Sequence, residues 1–86
     1  MYSLYREGDN AGDCGPLMQI GKPGGFLEVS DRPKVGYCVR VGSINGRTYA
    51  SQDFWTTTPV IEILEETSHS MKFKTRSGSI YVWTKQ

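Results

Sequence analysis

Eighty-six residues with a formal net charge of +1 read as one domain with a thin core, since a chain of this size buries only about 60–65% of the surface its unfolded form exposes. A charge so near zero excludes a nucleic-acid or membrane surface read by bulk electrostatics, so any electrostatic case rests on local clusters. The two cysteines, Cys14 and Cys38, are too few for a disulfide framework; they leave room for one bridge, and read first as reduced thiols of a cytosolic protein. No apolar run is long enough for a membrane-spanning helix, and residues 1–7 lack the apolar stretch of a secretory signal, so a soluble domain is expected.

Ten glycines and four prolines, mostly before residue 47, argue against long helices, and no window keeps a helical period. A mainly β fold follows. Residues 1–32 read as a glycine-rich irregular segment with short strands. Residues 2–5 make a short strand, and residues 8–16 make a loop by their turn composition. Residues 17–20 and 26–29 pair as a small hairpin around Gly21-Lys22-Pro23-Gly24-Gly25. Residues 33–86 read as the β core. Tyr37, Val39 and Val41 alternate with Cys38, Arg40 and Gly42 at period two. Asn45-Gly46 then signals a type I′ hairpin turn, with residues 47–49 returning antiparallel and residues 50–54 connecting onward.

The C-terminal part predicts a three-stranded meander. Residues 59–64 form a strand with Pro59 at its first position, where a missing N–H costs least. Residues 65–70 turn the chain. Met71, Phe73 and Thr75 face one way, Lys72, Lys74 and Arg76 the other. Ser77-Gly78 makes a tight turn, and residues 80–83 close the set. Short strands with tight connections predict a small single-domain antiparallel barrel or a strongly bent sheet.

Chemistry-bearing residues are sparse. His69 lies in a turn among hydroxyl residues and reads as solvated. Residues 8–15 carry Asp9, Asn10 and Asp13 but lack the oxygen spacing and closing glutamate of a calcium loop. Residues 15–22 lack the glycine spacing and the hydroxyl residue of a phosphate loop. Cys14, Cys38 and His69 do not have zinc spacing. Glu62 and Glu65 fall on opposite faces of a regular strand, so they do not pair as acid and base. No catalytic residue, cofactor or metal is expected, and the chain reads as a non-enzymatic binding protein.

Two features point to binding. The first is the density of recognition-type residues in one connection: Arg47, Tyr49, Asp53, Trp55 and the run Thr56-Thr57-Thr58 fall within twelve positions. Trp55 and Tyr49 also suit a small core that needs large aromatics. The second is the basic stripe Lys72, Lys74 and Arg76. It reads either as an ordinary solvated sheet face or as an anion-binding face helped by Arg40 or Arg47 and by Tyr81 or Trp83. In the binding reading, arginine and lysine pair phosphate, aromatic rings stack a base or ribose, and threonine hydroxyls fix orientation.

Pro33-Lys34-Val35-Gly36, Arg40-Val41-Gly42-Ser43, Arg47, the run Asp53 to Val60, Ile63 with Glu65-Glu66, Phe73-Lys74-Thr75 and Ser79-Ile80-Tyr81 carry a resemblance to small uncharacterised proteins of bacteriophages, over residues 33–83. The resemblance implies an inhibitor of host defence that works in the host bacterial cytoplasm. It would act either as an oligomeric sponge for a nucleotide signal of bacterial immunity or by binding a host immune protein. The leading expectation is therefore capture of a small anionic nucleotide by Arg40, Arg47, Tyr49, Asp53, Trp55, Thr56, Thr57, Thr58, Lys72, Lys74 and Arg76. The pocket is expected at the interface of a homo-oligomer, because one chain is too small to enclose a nucleotide. The alternative is an anti-CRISPR-type protein inhibitor that uses a strand edge or the Glu62/Glu65/Glu66 surface to occupy a host nucleic-acid groove. Direct nucleic-acid binding is disfavoured by the charge, and no membrane partner is expected.

Overall fold

The computed structural model describes residues 1–42 and 54–86. These form nine strands in chain order: β1 (Tyr2–Arg6), β2 (Gly12–Gly15), β3 (Leu17–Gly21), β4 (Glu28–Val29), β5 (Cys38–Gly42), β6 (Phe54–Thr56), β7 (Val60–Glu66), β8 (Ser70–Thr75) and β9 (Ile80–Lys85). All pairings are antiparallel. They build a five-stranded sheet in the order β2-β1-β9-β8-β7 and a four-stranded sheet in the order β4-β3-β5-β6. The all-β expectation and the β7-β8-β9 meander are observed, but the two sheets do not close into a barrel. Among the described residues no helix is long and apolar enough to cross a membrane.

The chain changes sheet at points where the backbone cannot continue a ladder. Pro16 separates β2 from β3 and supplies no N–H, so the two short strands belong to different sheets. Pro59 likewise separates β6 from β7. Around it Thr57 N donates to Val39 O at 2.8 Å, Val60 N to Tyr37 O at 3.0 Å and Gly36 N to Val60 O at 2.7 Å. These bonds tie the link between β6 and β7, and the start of β7, to β5 and the segment leading into it.

Residues 1–32 are more regular than their composition predicts, since they supply four of the nine strands. In particular, residues 8–16 are not wholly a loop. Asn10, with φ 57°, lies in the turn after β1, and β2 then returns along β1 with Tyr2 opposite Gly15 and Tyr5 opposite Gly12. Gly12 is there for close approach: a Cβ on it would lie 1.9 Å from the Leu4 carbonyl oxygen. The expected hairpin of residues 17–29 is present, with Gln19 opposite Val29 and Ile20 opposite Glu28. β5 lies between β3 and β6, and its pairing with β6 sets Arg40 opposite Thr56, Val41 opposite Trp55 and Gly42 opposite Phe54. Phe54 is therefore a strand residue and not part of a connection. The Asn45-Gly46 turn and residues 47–49 lie outside the described residues.

The core forms where the two sheets face each other. Leu4, Met71, Phe73, Tyr81 and Trp83 come from the five-stranded sheet, and Met18, Ile20, Val39 and Val41 from the four-stranded one. Tyr2 stacks on Trp83 with centroids 6.3 Å apart, and Phe73 on Tyr81 at 5.8 Å. The β8 alternation holds, with Met71, Phe73 and Thr75 buried while Lys72 and Lys74 stay half-exposed. One long-range clasp closes an end of the molecule. The Arg32 guanidinium lies 5.5 Å from the Trp83 ring centroid, and its Nη2 is 2.9 Å from Glu66 Oε2. The same side chain donates to the carbonyls of Thr67 and Ser68.

Candidate functional site

The expected site residues divide among three places. Arg40 and Thr56 are cross-strand partners on the face of the four-stranded sheet turned away from the core, because their neighbours Val39 and Val41 point inward. Here Arg40 Nε donates to Thr56 Oγ1 at 2.9 Å, and the guanidinium carbon lies 4.4 Å from the Phe54 ring centroid. A planar cation held between a hydroxyl and an aromatic face has already lost much of its rotamer freedom, so less is lost when it binds an anion. Gln19 sits across from Arg40 on β3, and its buried Oε1 has no hydrogen-bond partner among the described residues. Row by row, this outer face offers a fixed cation, a hydroxyl and an aromatic ring. It lies on the strands that flank the connection carrying Arg47, Tyr49 and Asp53, three residues outside the described ones.

Trp55, Thr57 and Thr58 belong to the interior and its seams. Trp55 faces inward from β6, donating from Nε1 to Tyr81 Oη at 3.0 Å, and Arg6 lies 5.4 Å from its ring centroid. It bridges the two sheets. Thr57 is buried, accepts from Val39 N at 3.1 Å and donates to the Thr58 carbonyl at 2.7 Å. Thr58 donates to Ser77 Oγ at 3.0 Å and accepts from Ser77 N at 3.2 Å, fastening the turn between β8 and β9. Two of the three threonines thus spend their hydroxyls on holding the fold.

The basic stripe occupies the outer face of the other sheet. Lys72 Nζ is 2.8 Å from Glu7 Oε2. That contact, with Glu65 adding to it, raises the Lys72 ammonium above its ordinary value. Lys74 is opposite Glu62 and Lys72 opposite Glu65. The sequence reading set these glutamates on opposite faces. Register shifts between Val60 and Glu62 and between Ile63 and Glu65 instead align both with the lysines, since a bulge resets the alternation. Tyr81 and Trp83 do not join this stripe: both are buried on the core side of β9, and the residues of β9 opposite the lysines are Val82 and Ile80. Arg40 is on the other sheet and does not join it either. Arg76 is exposed in the turn after β8. Within one chain, then, Trp55 and Lys74 lie on opposite sides of the five-stranded sheet.

His69 is exposed, and its Nδ1 is 2.6 Å from Oγ of its neighbour Ser68, a contact local to the turn. Among the described residues no three His, Cys, Asp or Glu side chains gather as they would around a metal. On the outer face of the five-stranded sheet Cys14 neighbours Tyr5 across β1 and β2, and this neighbour raises the phenol above its ordinary value. Sequence reasoning missed Gln19 and Phe54. Gln19 was visible as the one polar residue in the alternation Leu17-Met18-Gln19-Ile20, whereas Phe54 was assigned to a connection.

Comparison with protein-family models, with curated proteins and with solved structures found no match.

Proposed function

We propose that this is a non-enzymatic binding protein that captures a small anionic ligand, of the cyclic or ADP-ribose nucleotide class, on the outer face of the four-stranded sheet. The observation that carries this reading is the Arg40 guanidinium, set against Phe54 and Thr56 before any ligand arrives. Arginine in that setting pairs a phosphate bidentately. Phe54 offers a ring against which a base or ribose can stack. Lys72, paired with Glu7, and Lys74, opposite Glu62 on the other sheet, are left out of this site. An open sheet face encloses little of a nucleotide, which favours a second copy of the chain as the other wall. With the bacteriophage resemblance, the biological reading is a sponge that withholds a nucleotide signal of bacterial immunity within the host cell.

Isothermal calorimetry with a panel of such nucleotides tests it. Binding by the wild type should weaken about ten- to a hundred-fold in Arg40→Ala, the loss expected for a charge-assisted hydrogen-bonded pair. Absence of heat for every nucleotide would remove the reading.

One feature favours a second reading, inhibition of a host protein. Strand β7 is an edge of the five-stranded sheet and exposes Ile61 and Leu64 at 50% and 40% beside Glu62, Glu65 and Glu66. Its register shifts argue against simple strand addition, because bulges blunt an edge. Host-protein binding lost on reversal of the three glutamates but kept in Arg40→Ala would select this alternative.

A further inference from the structure

The tip of the β3–β4 hairpin is an ordered turn that presents a fully exposed aromatic. Lys22-Pro23-Gly24-Gly25 closes with Gly25 N donating to Lys22 O at 2.9 Å. Proline precedes a glycine at φ +76°, as a type II turn requires. Gly21 lets the returning chain pack tightly: a Cβ there would lie 2.5 Å from the Phe26 carbonyl oxygen and 2.7 Å from Leu27 Cδ2. The next residue after the turn, Phe26, is 95% exposed. A side chain held out in this way from a well-formed turn forgoes the burial that stabilises aromatics elsewhere in this small core.

Beside Phe26 is a groove of about 340 Å³ lined by Lys22, Lys34, Tyr37, Glu28 and Ile20. It opens where Gly21 of β3 meets Cys38 of β5, at the end of the four-stranded sheet. Lys22 Nζ lies 5.9 Å from the Tyr37 ring centroid. Among the described residues the ion pairs are Arg6–Asp9, Arg32–Glu66, Lys72–Glu7 and Lys85–Asp31, so neither Lys22 nor Lys34 is in one of them. Two ammonium groups outweigh the single carboxylate of Glu28, and two aromatic rings border the same space.

We propose that this groove is a binding site for a nucleoside phosphate, distinct from the Arg40 face. Lys22 and Lys34 hold the phosphate, Phe26 closes over the base by stacking, and Glu28 accepts from the sugar hydroxyls. A concave site with this charge balance suits a single nucleotide or the terminal nucleotide of a single strand. The two sources share the same chemistry.

Fluorescence or calorimetric titration separates them. The probes are adenosine and uridine 5′-monophosphates as free nucleotides, and a short single-stranded oligothymidine for the strand. Phe26→Ala should weaken binding about five- to a hundred-fold, the usual effect of removing one base-stacking ring. Lys22→Gln with Lys34→Gln should weaken it at least as much and flatten its salt dependence. Lys22 and Phe26 lie at the exposed hairpin turn and Lys34 in the exposed segment between β4 and β5, and a wild-type circular dichroism spectrum confirms that the variants fold. Tighter oligothymidine binding, with loss in both variants, assigns the site to strand ends, whereas monophosphate binding assigns it to free nucleotides. No binding of any probe, or binding unchanged in both variants, overturns the proposal. Binding lost only in Arg40→Ala overturns it while sparing the function proposed above. Binding lost only in the Phe26 and lysine variants, and kept in Arg40→Ala, supports the groove independently of the Arg40 face.

Discussion

Asp9 shows how a single side chain sets the first turn. Arg6 Nε and Nη2 donate to its two carboxylate oxygens at 3.1 and 2.7 Å, and Ala11 N donates at 3.1 Å. The Arg6 contact, and after it the Ala11 N–H, lower the Asp9 carboxyl from 3.8 to about 2. A depressed folded value means that any stability this ion supplies is present above its unfolded pKa and is lost as the pH falls toward about 2. Arg6→Ala should move the Asp9 titration, followed by carboxyl carbon NMR, up toward the ordinary carboxylate range, and an unmoved titration would contradict the assignment. In the core, Trp83 faces Leu4 on one neighbour and Met71 on the other, fully buried, with no acceptor for its indole N–H among the described residues. Trp83→Ala should cost about 3–5 kcal/mol in urea unfolding. Trp83→Phe should cost less than about 1.5 kcal/mol, because the smaller ring also removes a buried donor that has no acceptor. Equal losses in the two variants would refute that account.

At the scale of elements, β2 depends on one glycine. Because a Cβ on Gly12 would overlap the Leu4 carbonyl oxygen, Gly12→Ala should push β2 off β1 and lower stability by more than about 3 kcal/mol. A wild-type melting temperature by circular dichroism would contradict the close approach. The same glycine explains why this strand was illegible: in the sequence it is one of three glycines within residues 8–15, and a glycine required by a neighbouring backbone looks the same as one required by a turn. The β8 alternation was legible because period two is written in the side chains themselves. The alignment of Glu62 and Glu65 was not, since a bulge is set by how β7 meets β8 and leaves no local signature. Arg40 could be named from the sequence as a cation on a strand. Its partner Phe54 could not, because the pairing that puts Phe54 beside Arg40 is a tertiary choice.

Taken whole, the molecule is two antiparallel sheets over one thin core, with both binding candidates on the four-stranded sheet. That sheet contributes fewer of the large buried side chains: Trp83 and Phe73, the two largest fully buried ones, are both on its partner. The five-stranded sheet supplies most of the packing, and on its outer face the charges near Lys72 are matched. The four-stranded sheet keeps an ordered cation–aromatic pair and an exposed phenylalanine on its solvent side. This division also places Arg40 and Thr56 on one outer face and Lys72 and Lys74 on the other. The most direct test is amide chemical-shift mapping of the isotope-labelled protein during titration with the nucleotide panel. The account predicts the largest shifts at Gln19, Arg40, Phe54 and Thr56, with saturation that disappears in Arg40→Ala. Shifts centred on Lys72, Lys74 and Ile80, or no shifts at all, would contradict it.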